Sequence, residues 1–252
     1  MKQTQRHDAI VELVKRQGYV STEELVEFFS VTPQTIRRDL NDLAEQNLIQ
    51  RHHGGAALPS SAENTDWHDR KMMHSSAKTR IAAKVAQQIP DGSTLFIDIG
   101  TTPEAVAHAL MGHHNLQIVT NNLNVAQLMM AKTDFRVIIA GGTLRASDGG
   151  IIGEATMDFI SQFRLDFGVI GISGIDEAGT MLEFDYHEVR TKRAIIENSR
   201  CVMLVTDGSK FGRKAMVSLG GMEMLDSLFT DKLPPEPILH LLSQHAVKLE
   251  IC

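Results

Sequence analysis

The sequence predicts two unlike units in one α/β chain: an N-terminal winged helix-turn-helix, then a larger, mostly parallel α/β domain. Two patterns carry this. Three short helical stretches within the first 57 residues end in a segment that alternates around Gly54-Gly55. From about residue 76, strand-like runs alternate with helical ones, the rhythm of a parallel sheet with helices on both faces.

Within residues 5–16, Ile10, Leu13 and Val14 recur at helical spacing, and Gly18 ends the helix. Ser21 with Glu24 is a capping box for a second helix running to about Phe29, with Leu25, Phe28 and Phe29 on its apolar face. Thr32 followed by Pro33 opens a third, whose apolar stripe is Ile36, Leu40 and Leu43. Residues 48–57 read as a β-hairpin, the wing. Residues 58–75 are rich in Ser, Asn, Asp and His, without a clear period, and read as a linker whose lone Trp67 anchors it to one of the domains. The expected organisation is therefore 1–57, a linker at 58–75, and a domain at 76–252. In that last part, strands are expected at 94–97, 117–119, 136–140, 167–171, 202–206, 227–230 and 247–251. Helices are expected near 103–111, 122–131, 154–162, 185–198 and 236–244.

With 252 residues, 42% hydrophobic and 22% charged, the composition is that of an ordinary globular protein. Apolar runs are too short to span a bilayer and the N-terminus lacks a secretory apolar core, so a cytoplasmic protein with no membrane partner is expected. Two cysteines, Cys201 and Cys252, exclude a disulfide framework. A net charge of −6 argues against a whole-surface nucleic-acid binder. Even residues 1–57 carry seven Lys and Arg against eight Asp and Glu, so DNA binding must rest on where the arginines sit.

Placed at 100° intervals, Gln34, Arg38 and Asn41 oppose the apolar stripe of the third helix, with Thr35 and Arg37 on the flanks. Arg can donate two hydrogen bonds to guanine and Gln can pair with adenine, which is what a major groove asks for. Arg51, His52 and His53 in the wing are placed to reach flanking phosphates. Together with the capping residues Ser21 and Thr32, these form the expected DNA-binding set. Two arginines alone would be a solvated helix face; their setting between a tight turn and a wing favours double-stranded DNA.

In the second domain, Asp98-Ile99-Gly100-Thr101-Thr102-Pro103 is a strand end, a glycine turn and a helix start. It reads either as a phosphate cradle or as a well-capped helix with Thr102 as the cap. Comparable strand ends carry Asn121-Asn122, Ser173-Gly174 and Asp207 to Gly212, and open parallel sheets hold ligands at such ends. The expected effector set is Asp98, Gly100, Thr101, Thr102, Asn121, Asn122, Arg145, Ser173, Gly174 and Lys210, with Lys210 the best single cation. In the helix at 185–198, Tyr186, Val189 and Ile196 form the stripe; Arg193 projects between them and reads as an anion or conformational coupling site or, the favoured reading, as a buried ion pair or a snorkelling side chain. There is no GKS or GKT, no GxGxxG, no HExxH and no CxxC, so no cofactor and no metal are expected.

The run Thr32-Pro33-Gln34-Thr35-Ile36-Arg37-Arg38-Asp39-Leu40, with Arg51-His52-His53-Gly54-Gly55-Ala56, resembles the N-terminal domain of the DeoR family of bacterial regulators. Residues 165–175 and 205–212 resemble that family's sensor domain, whose fold is similar to that of sugar-phosphate isomerases. The resemblance implies an operator-binding repressor, a homo-oligomer (a homotetramer) and a small phosphorylated effector. The runs 98–107 and 183–193 narrow the implied effector to glycerol 3-phosphate. The alternatives are a repressor that answers another sugar phosphate, or an isomerase-type enzyme using Asp98 or Asp207 as base. Because glycerol 3-phosphate has no carbonyl to isomerise, no catalytic residue is assigned.

Overall fold

Ile10 and Val14 of α1 (Gln3–Gln17), Leu25 of α2 (Thr22–Phe29) and Ile36, Leu40 and Leu43 of α3 (Pro33–Glu45) close on one another in the computed structural model, which describes residues 2–46, 48–52, 54–58 and 64–252. All six are essentially inaccessible to water, each burial contributing about 1.5–3 kcal/mol. The wing is three-stranded: β1 (Tyr19–Ser21) pairs with β3 (Gly55–Ala57), which pairs with β2 (Gln50–His52), all antiparallel. The hairpin was expected; its third strand was not, because three residues between two helices carry no alternation to read. Gly55 is required there, since a Cβ would sit 2.4 Å from the Val20 carbonyl oxygen. Phe28 departs from expectation: it is 64% exposed and meets Phe29 edge-on, because α2 buries only the narrow face around Leu25.

The linker region is not irregular throughout. It contains α4 (Trp67–Met72), capped by Asp66, whose side chain accepts from the His68 amide at 2.8 Å. Six residues are too few to show a helical period; tertiary contacts hold the turn. After it come α5 (Ser75–Ala86), β4 (Thr94–Ile97), α6 (Thr101–Ala109), β5 (Gln117–Thr120), α7 (Leu123–Met129) and β6 (Arg136–Ile139). A hairpin of β7 (Thr143–Arg145) and β8 (Gly150–Ile152) follows. The chain continues through α8 (Glu154–Ile160), β9 (Leu165–Ile170), β10 (Gly174–Ile175), β11 (Met181–Glu183), α9 (Tyr186–Glu197), β12 (Ser199–Val205), β13 (Val217–Gly220), β14 (Ser227–Thr230), α10 (Glu236–Gln244) and β15 (Lys248–Ile251).

Seven of these strands form one sheet, ordered β15-β14-β12-β9-β4-β5-β6, with every pairing parallel. Alternation along β4 sends Leu95 and Ile97 into the core beneath α5, α6 and α7, and Phe96 into the core shared with α8, α9 and α10. From β4 the order runs outward through β5 and β6 on one side and from β9 through β12 on the other. The crevice outside the strand ends at β4 and β9 is thus the topological switch point, where such sheets take ligands. A small antiparallel sheet of β10, β11 and β13 stands over that end. Among the described residues no helix is long and apolar enough to cross a membrane.

The winged helix is pinned by one buried ion pair. Arg6 of α1 donates to Asp39 of α3 at 2.5 and 3.0 Å, and His7 meets the same carboxylate at 3.0 Å. Burial alone would raise the Asp39 pKa; Arg6 and His7 outweigh it and hold the carboxyl below its ordinary value. Its stabilisation is therefore present above about pH 4 and is lost as pH falls through the lowered, folded-state pKa. We predict that Asp39→Ala costs the winged helix about 3 kcal/mol and that Asp39→Asn blunts its acid unfolding, both read by circular dichroism. An acid midpoint unchanged in Asp39→Asn would remove Asp39 from that role.

Candidate functional site

Thr32 caps α3: its hydroxyl accepts from the Thr35 amide at 3.2 Å and meets the Thr35 hydroxyl at 2.9 Å. Pro33 at the first helical position adds a preset φ. Ser21 does the same for α2, accepting from the Glu24 amide at 3.1 Å while the Glu24 carboxylate accepts from the Ser21 amide at 2.7 Å. Both hydroxyls thus act as helix caps. Gln34, Arg37, Arg38 and Asn41 are all exposed along α3, and Thr35 is half-buried. Arg51 reaches across from the wing to the Asn41 side-chain oxygen at 2.5 Å, joining wing and helix into one surface. His52 lies in β2; His53 lies outside the described residues.

A cleft of about 720 Å³ lies at the strand ends. Its sensor-side wall includes Arg70, His74, Lys78, Asp207, Lys210 and Arg213, and Arg37, Asn41 and Arg51 bound it on the winged-helix side. The cations sit close enough to disfavour one another's charge. Burial, with Arg213, Arg70 and Lys78 nearby, pushes Lys210 down to about 7. Burial pushes Lys78 down to about 8, and burial with Arg70 pushes Arg213 down to about 10. Asp207 partly offsets them; despite its own burial it is held below the usual carboxylate range, chiefly by Lys210. A cluster of this kind is at its most favourable with an anion among the cations. The buried Nε2 of His74 on the cleft wall has no hydrogen-bond partner.

The segment 64–74 runs alongside this cleft and is tied to it. Arg213 donates to the Asn64 side-chain oxygen at 2.9 Å, to the Thr65 hydroxyl at 3.3 Å and to the Ser173 carbonyl at 3.1 Å. Asn64 in turn donates to the Ser173 hydroxyl at 3.5 Å. Lys78 caps the end of α4, donating to the carbonyls of Arg70 and, at 2.8 Å, Met73. The Trp67 indole donates to Glu104 at 3.1 Å, and Asn122 and Asn124 share that carboxylate oxygen at 3.2 and 3.0 Å. Between α4 and α5, His74 sits at φ +53°, in the left-handed region, where histidine is found more often than most side-chain-bearing residues.

Beneath the cleft, Lys192 is fully buried and bonded to Asp98 at 2.6 Å and the Gly171 carbonyl at 2.8 Å. It also pairs with Glu183 at 3.0 Å and Glu188 at 3.7 Å. Burial would lower its pKa, but the three carboxylates raise it above the ordinary lysine value. The buried residues of α9 are Val189, Thr191, Lys192 and Ile195, with Ile196 packed against the core beside them; of the expected stripe, Val189 and Ile196 meet the core and Tyr186, 58% exposed, does not. Arg193 donates to the carbonyls of Ser218 and Leu219 in β13, neither an ion pair nor an anion site.

Of the expected effector residues, Lys210 lines the cleft. Gly100, at φ +140°, is the residue before α6, so Thr101 and Thr102 are buried in the first turn and Thr102 is not the cap. Asp98 faces Lys192, yet its Oδ1 is buried without a hydrogen-bond partner, as is the Oδ1 of Asn121. Asn122 caps α7 and bonds Glu104. Arg145 is engaged by Asp148 at 2.7 Å, Asp185 at 2.9 Å and Glu188 at 2.9 Å, away from the cleft. Ser173 contacts Asn64 and Arg213, and Gly174 lies in β10. Sequence reasoning missed Arg70, His74, Lys78 and Arg213. Lys78 reads as the polar side of an amphipathic helix and Arg213 as a loop residue; only the fold brings them together.

Residues 6–62 match the DeoR-like helix-turn-helix domain and residues 73–232 the DeoR C terminal sensor domain. The chain is 73% identical, over 100% of both chains, to the glycerol-3-phosphate regulon repressor of Escherichia coli (strain K12). It is 60% identical to the Haemophilus influenzae protein of the same name, over 100% of this chain and 98% of that one. Ribose 5-phosphate isomerase from Plasmodium falciparum superposes on 54% of this chain and 52% of its own at 13% identity and a TM-score of 0.39, too slight a likeness to argue from. On the two domain matches and these end-to-end relatives, the chain belongs to the DeoR family.

Proposed function

We propose that this protein is a DNA-binding transcriptional repressor of glycerol 3-phosphate metabolism genes, released from its operator by glycerol 3-phosphate. One observation carries the reading: a single chain joins an exposed helix bearing Gln34, Arg37 and Arg38 to a cleft that gathers Lys78, Lys210 and Arg213. Relatives bearing a glycerol-3-phosphate repressor's name match it from end to end, which supports the choice of effector. Gln34 and Arg38 read base edges, while Arg37, Arg51 and the wing histidines hold phosphates. The effector's phosphate lies among Lys78, Lys210 and Arg213. Its hydroxyls meet the acceptors left without partners on Asp98 and Asn121. The protein works in the cytoplasm as a homo-oligomer, because paired half-sites need paired readers; the family resemblance makes that oligomer a tetramer. The isomerase alternative is set aside, since the full-length relatives are repressors and the effector has no carbonyl.

The direct test is fluorescence anisotropy on operator DNA from a glycerol-metabolism promoter at fixed salt. Tight binding released by glycerol 3-phosphate, and not by glycerol or inorganic phosphate, is the expected result. Binding indifferent to the ligand would discard the effector and keep the DNA reader. Arg38→Ala is expected to cost about 1–3 kcal/mol on operator and to relax specificity. Arg37→Ala should weaken all sequences alike and flatten the salt dependence. Equal losses on operator and random DNA for both variants would overturn these roles.

Lys210 gives a second test. With its pKa near 7 in the free protein, it is largely neutral above that pH; a phosphate dianion beside it restores the charge. Binding at pH 8 is therefore expected to take up protons, with affinity falling as pH rises from 7 to 9, Lys78 adding to the effect near 8. Calorimetry in two buffers of different ionisation enthalpy reads the uptake. Heats independent of buffer would move the phosphate away from Lys210.

A further inference from the structure

Resting on the effector reading above, we propose that residues 64–74 form a coupling strap: ligand and strap compete for the same donors, Arg213 and Lys78, so that binding the ligand loosens the chain that leads to the winged helix.

The competition is visible in the bonding. The terminal nitrogen of Arg213 that holds Asn64 and Thr65 belongs to one of the cations on the cleft wall. Lys78, another of them, holds the end of α4 through the carbonyls of Arg70 and Met73. A doubly charged phosphate is a stronger acceptor for a guanidinium or an ammonium than an amide oxygen, a hydroxyl or two carbonyls, because it adds the attraction between two opposite charges to a bond whose donor is charged in either case. When the anion takes these donors, the strap loses its ties at both ends of α4. What remains among the described contacts is Asn64 on the Ser173 hydroxyl at 3.5 Å, Trp67 on Glu104, the contact of Arg70 with Asp148 at 3.7 Å and the joint at His74.

The movement has a direct route to the DNA reader. From Ala57, the last wing residue, to Asn64 is seven residues, which span at most roughly 25 Å fully extended. A tether this short makes the position of Asn64 a constraint on where each winged helix can stand. Two half-sites at fixed spacing are sensitive to that constraint. The ligand distinguishes the two states because it binds well only where Arg213 and Lys78 are free of the strap, as a shift of equilibrium requires.

Trp67 is the chain's single tryptophan and stands on the strap, so its emission reports the strap alone. The experiment titrates glycerol 3-phosphate into the full-length protein and follows Trp67 emission, calorimetric binding and operator release. The same is done for a variant carrying Asn64→Ala and Thr65→Ala. Competition predicts three results: Trp67 emission changes with the midpoint of operator release, the variant binds the ligand several-fold more tightly, and its ligand-induced loss of operator affinity shrinks by about tenfold. Residues that merely line the cleft would give the reverse, weaker ligand binding with undiminished release. If the wild type binds the ligand and releases DNA while Trp67 stays silent, the strap is overturned and the effector reading stands; this holds even if the variant does not fold. If glycerol 3-phosphate gives no binding heat with the wild type, the effector reading fails and the strap falls with it.

Discussion

The sensor domain depends on the ammonium group of Lys192. It draws together the end of β4 through Asp98, the end of β11 through Glu183, α9 through Glu188 and the loop after β9 through the Gly171 carbonyl. These elements meet where the strand order turns outward in both directions. A buried charge is costly unless paired, and removing one partner of such a group leaves the others stranded at a cost of about 3–5 kcal/mol. Hence the crevice has a rigid floor. Above it stand the loop after β12 and the segment before α5, which line the cleft. Arg145, joined to Glu188 as well as to Asp148 and Asp185, extends the same network to the β7–β8 hairpin.

How much of this was legible in the sequence depended on whether the signal was local. The caps at Ser21 and Thr32, the stripe Ile36-Leu40-Leu43 and the strands of the main sheet each declare themselves within a few residues. The register of α9 did not. A lysine at position 192 reads as surface, and only the three carboxylates brought by other elements make it the inward residue. Tyr186 went the other way, because an aromatic at helical spacing looks like core. The cleft shows the same limit: Lys210 follows a strand and stands out, whereas Arg213 three residues on, and Arg70 and Lys78 more than a hundred residues earlier, carry no motif of their own. The α4 turn escaped because its stability comes from Trp67 and Lys78, not from its own period.

The two halves solve opposite electrostatic problems. In the winged helix the excess acid lies on α2, in Glu23, Glu24 and Glu27, and Asp39 of α3 is buried against Arg6, so a unit with no net positive charge still has Arg37 and Arg38 exposed on α3. In the sensor domain, cations are gathered inward, where burial makes each one's charge harder to keep. A surface arginine is best placed for a long polyanion met through water, and a crowded half-buried lysine for a small anion that displaces water. Fold and charge pattern thus point each half to a different size of ligand.

The parallel sheet also has a temporal side. β4 lies beside β9, pairing Leu95 with Phe167, so the central pair of the sheet joins stretches of chain some seventy residues apart. The winged helix, by contrast, is complete once Ala57 has been made. During synthesis the DNA reader can close its core while β4 still lacks its central neighbour, and non-local pairings of that kind form slowly. For a time after each ribosome passes the wing, the nascent protein holds a finished reader on an unfinished sensor, and only completion of β9 and β12 brings it under metabolic control.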